Sequence, residues 1–340
     1  MTAKHKITSR RRGFLKPRCV IFCLVCSLAF LVPLGHTRAE EKYPSRPIEL
    51  VVPMAPGGSN DTSARIYSDD LSKVLKVPVI VVNRPGGTGI MGATYVAKGK
   101  KDGYTLLQGS ANSLITMPVV SKEAAYDPLK DFVPLGYLAS VPSVFVVRTD
   151  SPFKTLAELI DHARKNPGKL KNGAAGVLSE SQFNMEVLCS HEKIVIKTVP
   201  YKSGGEALPA ILGGHVDLAT LTLTTLVSQI KAGKLRALAI TSKNRHPDLP
   251  DVPTTAELGH SYARFSTWFG VFAPAGVPKP VVSVLVPTLA KIFKNPQIEQ
   301  RALKAGLTVD YKNPEELRKF MEAAIQITEK TARAANLINK

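Results

Sequence analysis

Cysteine, acidic residues and long apolar runs are all scarce in this chain of 340 residues. Four cysteines are too few for a disulfide scaffold. The 27 Asp+Glu stand against 45 Lys+Arg, a formal net charge of +18 that invites a nucleic-acid partner. No apolar run reaches the roughly 20 residues that a membrane-spanning helix needs. The longest, Cys19–Leu34, has 16 and contains Pro33. The 24 Gly and 25 Pro follow no three-residue period, which excludes a collagen-like chain. What is present is hydrophobic residue, 44% of the total, enough for a sizeable core and too much for global disorder. The length suggests about two domains.

The charge is unevenly placed. Lys4, Lys6, Arg10, Arg11, Arg12, Lys16, Arg18 and Arg38 precede residue 39 with no Asp or Glu among them. A basic start, the apolar run and the small-residue stretch Thr37-Arg38-Ala39 form the layout of a secretory signal peptide over residues 1–39. The segment Arg10-Arg11-Arg12-Gly13-Phe14-Leu15-Lys16 also resembles the twin-arginine export motif, so both export routes stay open. A retained membrane anchor is disfavoured by the shortness of the run. A lipoprotein anchor is disfavoured because Val25 precedes Cys26 where a small residue is needed. Cleavage after Ala39 removes 39 residues and eight charges, leaving 301 residues with a net charge of +10. Cys19, Cys23 and Cys26 leave with the leader. Cys189 then stands alone, so no intramolecular disulfide is possible, and the mature protein is expected to be soluble.

Beyond Tyr43, short apolar runs alternate with helix-like segments. Ile48–Pro53, Val77–Val82, Thr105–Gln108, Val144–Val147, Ile194–Val199, Leu218–Leu221, Leu235–Ile240 and Trp268–Ala273 read as strands. Asp61–Leu75, Gly92–Lys98, Leu156–Lys165 and Glu206–Leu212 read as helices, and Val281–Phe293, Ile298–Ala305 and Pro314–Ala335 close the chain as three more. Such alternation predicts mostly parallel pairing and an α/β fold, with ligands at the carboxyl ends of strands. No Pro/Ser-rich linker separates two domains, so the chain is expected to cross between lobes on strands.

One local design recurs: a strand, a Gly-rich turn, then a helix. Ala55-Pro56-Gly57-Gly58-Ser59-Asn60-Asp61 is the first case, with Ser59, Asn60 or Asp61 able to cap the helix. Asn83-Arg84-Pro85-Gly86-Gly87-Thr88-Gly89 and Gly173-Ala174-Ala175-Gly176-Val177-Leu178-Ser179 repeat it, and Lys202-Ser203-Gly204-Gly205-Glu206 is a weaker fourth. Any α/β protein contains such turns. Several of them together, in an exported chain, point to a small anion held by first-turn N–H groups and helix dipoles.

Enzyme motifs fail. Gly87-Thr88-Gly89-Ile90-Met91-Gly92 matches GxGxxG formally, but Asn83, Arg84 and Pro85 intervene after the strand and no acidic residue follows at the required distance. There is no phosphate-binding GxxxxGK[ST] loop and no GxSxG elbow. His162, His191, His215, His246 and His260 are isolated in sequence, which leaves a metal site unsupported. Cys189 reads as a buried small hydrophobe. The residual positive charge is scattered over helix ends and turns without a basic helix or aromatic-studded strand, so no nucleic-acid partner is expected.

The motifs Tyr43-Pro44-Ser45-Arg46-Pro47-Ile48, Ala55-Pro56-Gly57-Gly58-Ser59-Asn60-Asp61, Asn83-Arg84-Pro85-Gly86-Gly87 and Asp102-Gly103-Tyr104-Thr105 come in that order. Tyr126-Asp127-Pro128, Val199-Pro200-Tyr201-Lys202, Lys231-Ala232-Gly233-Lys234-Leu235-Arg236, Leu249-Pro250-Asp251-Val252-Pro253-Thr254, Trp268-Phe269-Gly270 and Ala273-Pro274-Ala275-Gly276 complete them. The chain thereby resembles the tripartite tricarboxylate transporter substrate-binding family, the Bug-type receptors, over essentially all of its mature length. The resemblance implies a type II periplasmic binding protein-like fold: two α/β lobes, residues 43–143 with 267–340 and residues 144–266, closing on one small carboxylate in the cleft between them. It implies Pro56, Gly57, Gly58, Ser59, Asp61, Gly87, Thr88 and Gly89 around one carboxylate. Ala174, Ala175, Gly176, Ser179 and Ser181 are the second-lobe counterpart, with Lys202, Ser203 and Gly204 near the cleft.

It further implies a monomeric periplasmic receptor, without cofactor, metal or catalytic residue, that delivers its ligand to transporter membrane subunits. Reporting to a membrane kinase, or an enzyme on the same fold using Asp61 and Glu180, are the alternatives. The chain departs from the family pattern in two places. Leu178, Glu180, Ser181 and Gln182 stand where small residues and Pro-His are usual, and Leu221 stands where Asp is frequent. Glu180 either points to solvent or makes the far half of the pocket suit a neutral, apolar or cationic group.

Overall fold

The computed structural model describes Thr2 and residues 42–338; the leader therefore lies outside the described residues. The first half runs β1 (Ile48–Val52), α1 (Ser59–Leu75), β2 (Val79–Asn83), α2 (Ile90–Ala97), β3 (Thr105–Ser110), α3 (Met117–Val120), β4 (Phe132–Arg148), α4 (Leu156–Lys165) and β5 (Lys171–Ala174). It continues with α5 (Glu180–Glu192), β6 (Lys197–Pro200), α6 (Gly204–Leu212), β7 (Leu218–Thr222), α7 (Leu223–Lys231), β8 (Leu235–Ile240) and β9 (Ser266–Pro274). Then come α8 (Lys279–Phe293), α9 (Pro296–Lys304), β10 (Thr308–Lys312) and α10 (Pro314–Ala334). A π-helical turn, Asn112–Thr116, leads into α3.

The strands fall into two sets that share one long member. β1 pairs in parallel with β2 and β3, and β5 pairs in parallel with β6 and β7. β4 joins the sets: its Phe132–Pro142 stretch pairs antiparallel with β9, and Ser143–Val147 pairs antiparallel with β7. β8 and β10 also lie antiparallel to β4. The expectation of mostly parallel sheets thus holds for the outer strands, and the centre is mixed. A strand that carries the chain out of one set and another that carries it back must run in opposite directions. This is the periplasmic-binding-protein-like α/β fold.

Local sequence accounts for the element ends. α4 opens on a capping box in which the Thr155 side chain accepts from the Glu158 N–H and Glu158 answers the N-cap backbone. α10 opens on the equivalent Asn313/Glu316 box with Pro314 in its first turn. β1, Ile-Glu-Leu-Val-Val, buries nearly every residue because helices cover both faces of a sheet wound this way. Phe145, Phe269 and Phe272, fully buried on β4 and β9, anchor the shared centre. Gly92 packs α2 directly on the backbone: a Cβ there would meet Pro53 Cα at 2.7 Å.

Candidate functional site

Four helices begin at one place. The N-terminal residues of α1 (Gly58, Ser59, Asn60), α5 (Glu180, Ser181), α6 (Ser203, Gly204) and α7 (Thr222, Thr225) all line a single narrow cavity of about 30 Å³. Each helix is the next element after a strand, so the winding of the sheet aims their positive ends at a common point. Ser203 caps α6 by accepting from the Glu206 N–H, and Ser179 caps α5 by accepting from the Gln182 N–H. α1 and α7 carry no side-chain cap, which leaves their first-turn N–H groups available to a ligand.

The remaining wall carries small polar side chains among apolar Met54, Ala175 and Phe269. Ser110 ends β3 and Asn112 follows it, Ser143 sits where β4 passes from one strand set to the other, and Thr267 and Phe269 come from β9. Asn60 is 4% exposed, and neither its Nδ2 nor its Oδ1 has a hydrogen-bond partner. A buried amide left unpaired costs about 1–3 kcal/mol, so its natural complement is a ligand atom. Among the described residues no Lys, Arg or His lines this cavity. Its single ionisable group is Glu180, 5% exposed, whose carboxyl is pushed up to about 8 by burial. At neutral pH that carboxyl is predominantly protonated, so the cavity presents dipoles and amides rather than charge. An anion is well served by such a site.

Of the residues expected to hold the ligand, Gly58, Ser59, Ala175, Ser181, Ser203 and Gly204 line this cavity. Gly87, Thr88, Gly176 and Lys202 line instead a second space of about 450 Å³, which Met54 joins to the first. Ala174 is buried in β5 opposite Pro200, Gly89 packs against Ser113, and the Ser179 hydroxyl is engaged in its cap and with Ser181. Pro56 and Gly57 border the cavity-lining Gly58, with Gly57 in the left-handed region at φ +81°. Asn60, Ser110, Asn112, Ser143, Thr222, Thr225 and Thr267 escaped sequence reading. The available signal was a lone small polar residue in an apolar strand, as Ser143 and Thr267 are.

Asp61 turns away from the cavity. Its carboxylate accepts from the Gly57 N–H (3.2 Å) and Asn83 Nδ2 (3.0 Å) and pairs with Arg65 (2.9 Å), fixing the first Gly-rich turn. Burial works to raise its pKa, but Arg65, the Gly57 N–H and Asn83 together hold the carboxyl below its ordinary range. A lowered folded pKa gives stability that is complete above the unfolded value near pH 4 and is lost as pH falls through the folded value. Asp61→Asn is therefore expected to cost about 1–3 kcal/mol at neutral pH. The difference from the natural chain should shrink steadily in denaturation curves as pH is taken below 4.

Two hydrogen bonds bridge the strand sets, one at the cavity and one at the second space. Asn112 Oδ1 accepts from the Glu180 N–H at 2.6 Å, and the Thr88 hydroxyl donates to the Val177 carbonyl at 2.7 Å. With the sets so joined, the 30 Å³ cavity has room for about two waters. A molecule of several carbons enters only if the sets part. No group of three or more His, Cys, Asp or Glu placed to hold a metal occurs among the described residues. Among the same residues no helix is long and apolar enough to cross a membrane.

The family model described as the tripartite tricarboxylate transporter family receptor matches residues 63–340. Among solved structures, the periplasmic binding protein BugD is 34% identical with a TM-score of 0.83, covering 88% of this chain and 100% of its own. R. palustris Rpa4515, solved with adipate, is 32% identical with a TM-score of 0.84 over 88% of this chain and 100% of its own. MatC from Rhodopseudomonas palustris, solved with bound malate, is 30% identical with a TM-score of 0.81 over 85% and 99%.

Proposed function

The chain belongs to the tripartite tricarboxylate transporter family of receptors, and from that premise we propose that it captures a small organic acid in the periplasm and delivers it to the membrane subunits of such a transporter. The observation that carries the reading is the convergence of four helix N-termini on a cavity where buried Asn60 has no partner. The adipate and malate held by two similar structures support a carboxylate as the group that fills it. Residues 43–143 with 267–340 form one lobe and 144–266 the other, hinged where β4 and β9 cross. The leader over residues 1–39 directs export and is removed near Ala39, leaving a monomer without cofactor.

In this reading the carboxylate sits among Gly58, Ser59, Asn60, Ser203 and Gly204, and the outer residues Gly87, Thr88, Gly176 and Lys202 close over the entrance. The test is a thermal-shift panel of short mono- and dicarboxylates on the purified mature chain, with native mass spectrometry for a co-purified acid. Ligand at about a hundredfold above Kd stabilises by about 2.7 kcal/mol, so the binder should raise Tm by roughly 5–10 °C. A panel with no acid above background, and no co-purified acid, would overturn the reading.

A further inference from the structure

Behind the cleft cavity lies a further space of about 400 Å³, walled by Tyr137 of β4, Trp268 of β9, Phe265 just before it and Phe320 of α10. Glu180 lines both spaces and is the boundary between them. Its Oε2 is buried without a hydrogen-bond partner, and so is the adjacent Thr267 Oγ1. A carboxyl taken from water with only the Thr267 hydroxyl beside it and no counter-charge is costly, and a structure that keeps one has reserved it for something that binds.

We infer that Glu180 selects the far end of the ligand, and that this end is a protonated amine: the chain takes an ω-amino acid in preference to a dicarboxylic acid. The inference rests on the cleft's being the carboxylate site proposed above. An ammonium brings both things that Glu180 lacks, a donor for Oε2 and an opposite charge, and the aromatic walls beyond attract a cation further. A second carboxylate in the same place would set two like groups together out of water, forcing one to hold a proton. Among the described residues no cation lines the cleft cavity, and Arg264 is exposed where it lines the aromatic space. The groups facing Glu180 are Thr267 from β9, Asn112 from the turn after β3 and Tyr137 from β4. Lys312 Nζ lies 4.4 Å from the centroid of the Tyr137 ring.

The sign of the pH dependence separates the two ligand classes. The amine of an ω-amino acid stays protonated to about pH 10, whereas Glu180 gives up its proton near 8. Binding an ammonium therefore releases the Glu180 proton. Affinity should rise by about tenfold per unit between pH 6 and 8 and level off above. A diacid should gain nothing over the same range.

The experiment is calorimetric titration of the mature chain and of Glu180→Gln with matched pairs, ε-aminocaproate against adipate and γ-aminobutyrate against succinate. At pH 8 one amino acid should bind the natural chain at least about tenfold more tightly than its paired diacid. E180Q should weaken that amino acid by about thirtyfold or more and erase its pH dependence, with the unliganded Tm near that of the natural chain. Tighter binding of the diacids, absence of ω-amino acid binding, or a preference untouched by E180Q would each overturn the inference. If E180Q did not fold, a natural-chain preference that failed to grow with pH would overturn it equally. Diacid binding that depends on Asn60 would overturn this inference and leave the carboxylate-receptor reading standing; binding of no acid at all would remove both.

Discussion

Replacing Asn60 with Leu should sharply weaken ligand-induced stabilisation while making the empty protein more stable. Asn60 lies in the first turn of α1, 4% exposed, with both ends of its amide unpartnered. Leu has a similar volume and brings no polar atom to bury, so the unliganded chain should gain about 1–2 kcal/mol, seen as a Tm raised by roughly 2–6 °C. The ligand loses a hydrogen bond to its charged group, worth about 1.5–3 kcal/mol, so affinity should fall by about 10–150-fold. The opposite signs are the diagnostic. A residue that held the architecture together would lower Tm when replaced and leave affinity alone, and that result would move Asn60 out of the site.

Replacing Gly205 with Val should block closure without harming either strand set. Gly205 stands in the first turn of α6 and faces the turn before α1. A Cβ built on it comes within 3.1 Å of both the carbonyl carbon and the oxygen of Gly57. These are backbone atoms, which cannot swing aside as a side-chain tip can. Gly205 is not among the positive-φ glycines, so Val meets no strain from its own backbone. The clash exists only while the two sides are together. Overpacking of this kind costs about 1–3 kcal/mol, so ligand affinity should fall by about 5–150-fold with the empty-state Tm almost unchanged. Small-angle scattering should show that ligand no longer compacts the molecule. Gly205→Ala, needing a shift of only a few tenths of an ångström, should fall between. Full affinity in the Val variant would mean that these two turns do not meet around the ligand.

The frame was readable in the sequence because its signals are local. β-branched runs became strands and the recurring Gly-rich turns did precede helices, with α5 starting at Glu180 beside the expected second-lobe loop. β4 was read from Val144 only, because Pro134 and Pro142 argue against a strand. The structure tolerates these prolines in a strand that shifts register between Pro134 and Gly136. α7 was missed because its opening Leu223-Thr224-Thr225 carries poor helix formers; packing beneath it, with Leu223 and Leu226 fully buried, overrides propensity. The site was only half legible for a different reason. Asn60 and Asp61 are adjacent and both suit a helix start, and sequence does not say which turns inward. Asp61 turned out to tie the loop, and Asn60 to line the cavity.

A cavity that draws its positive potential from N–H groups instead of lysines has a consequence for how capture responds to ionic strength. Dissolved ions screen exposed charges over about 8–10 Å but do not penetrate a buried array of dipoles. Approach of an acid over the basic exterior should slow as salt rises, whereas its escape, governed by fixed amides and by parting of the two sides, should hardly change. The molecule would thus gather ligand at a rate set by the medium and hold it for a time set by its own backbone.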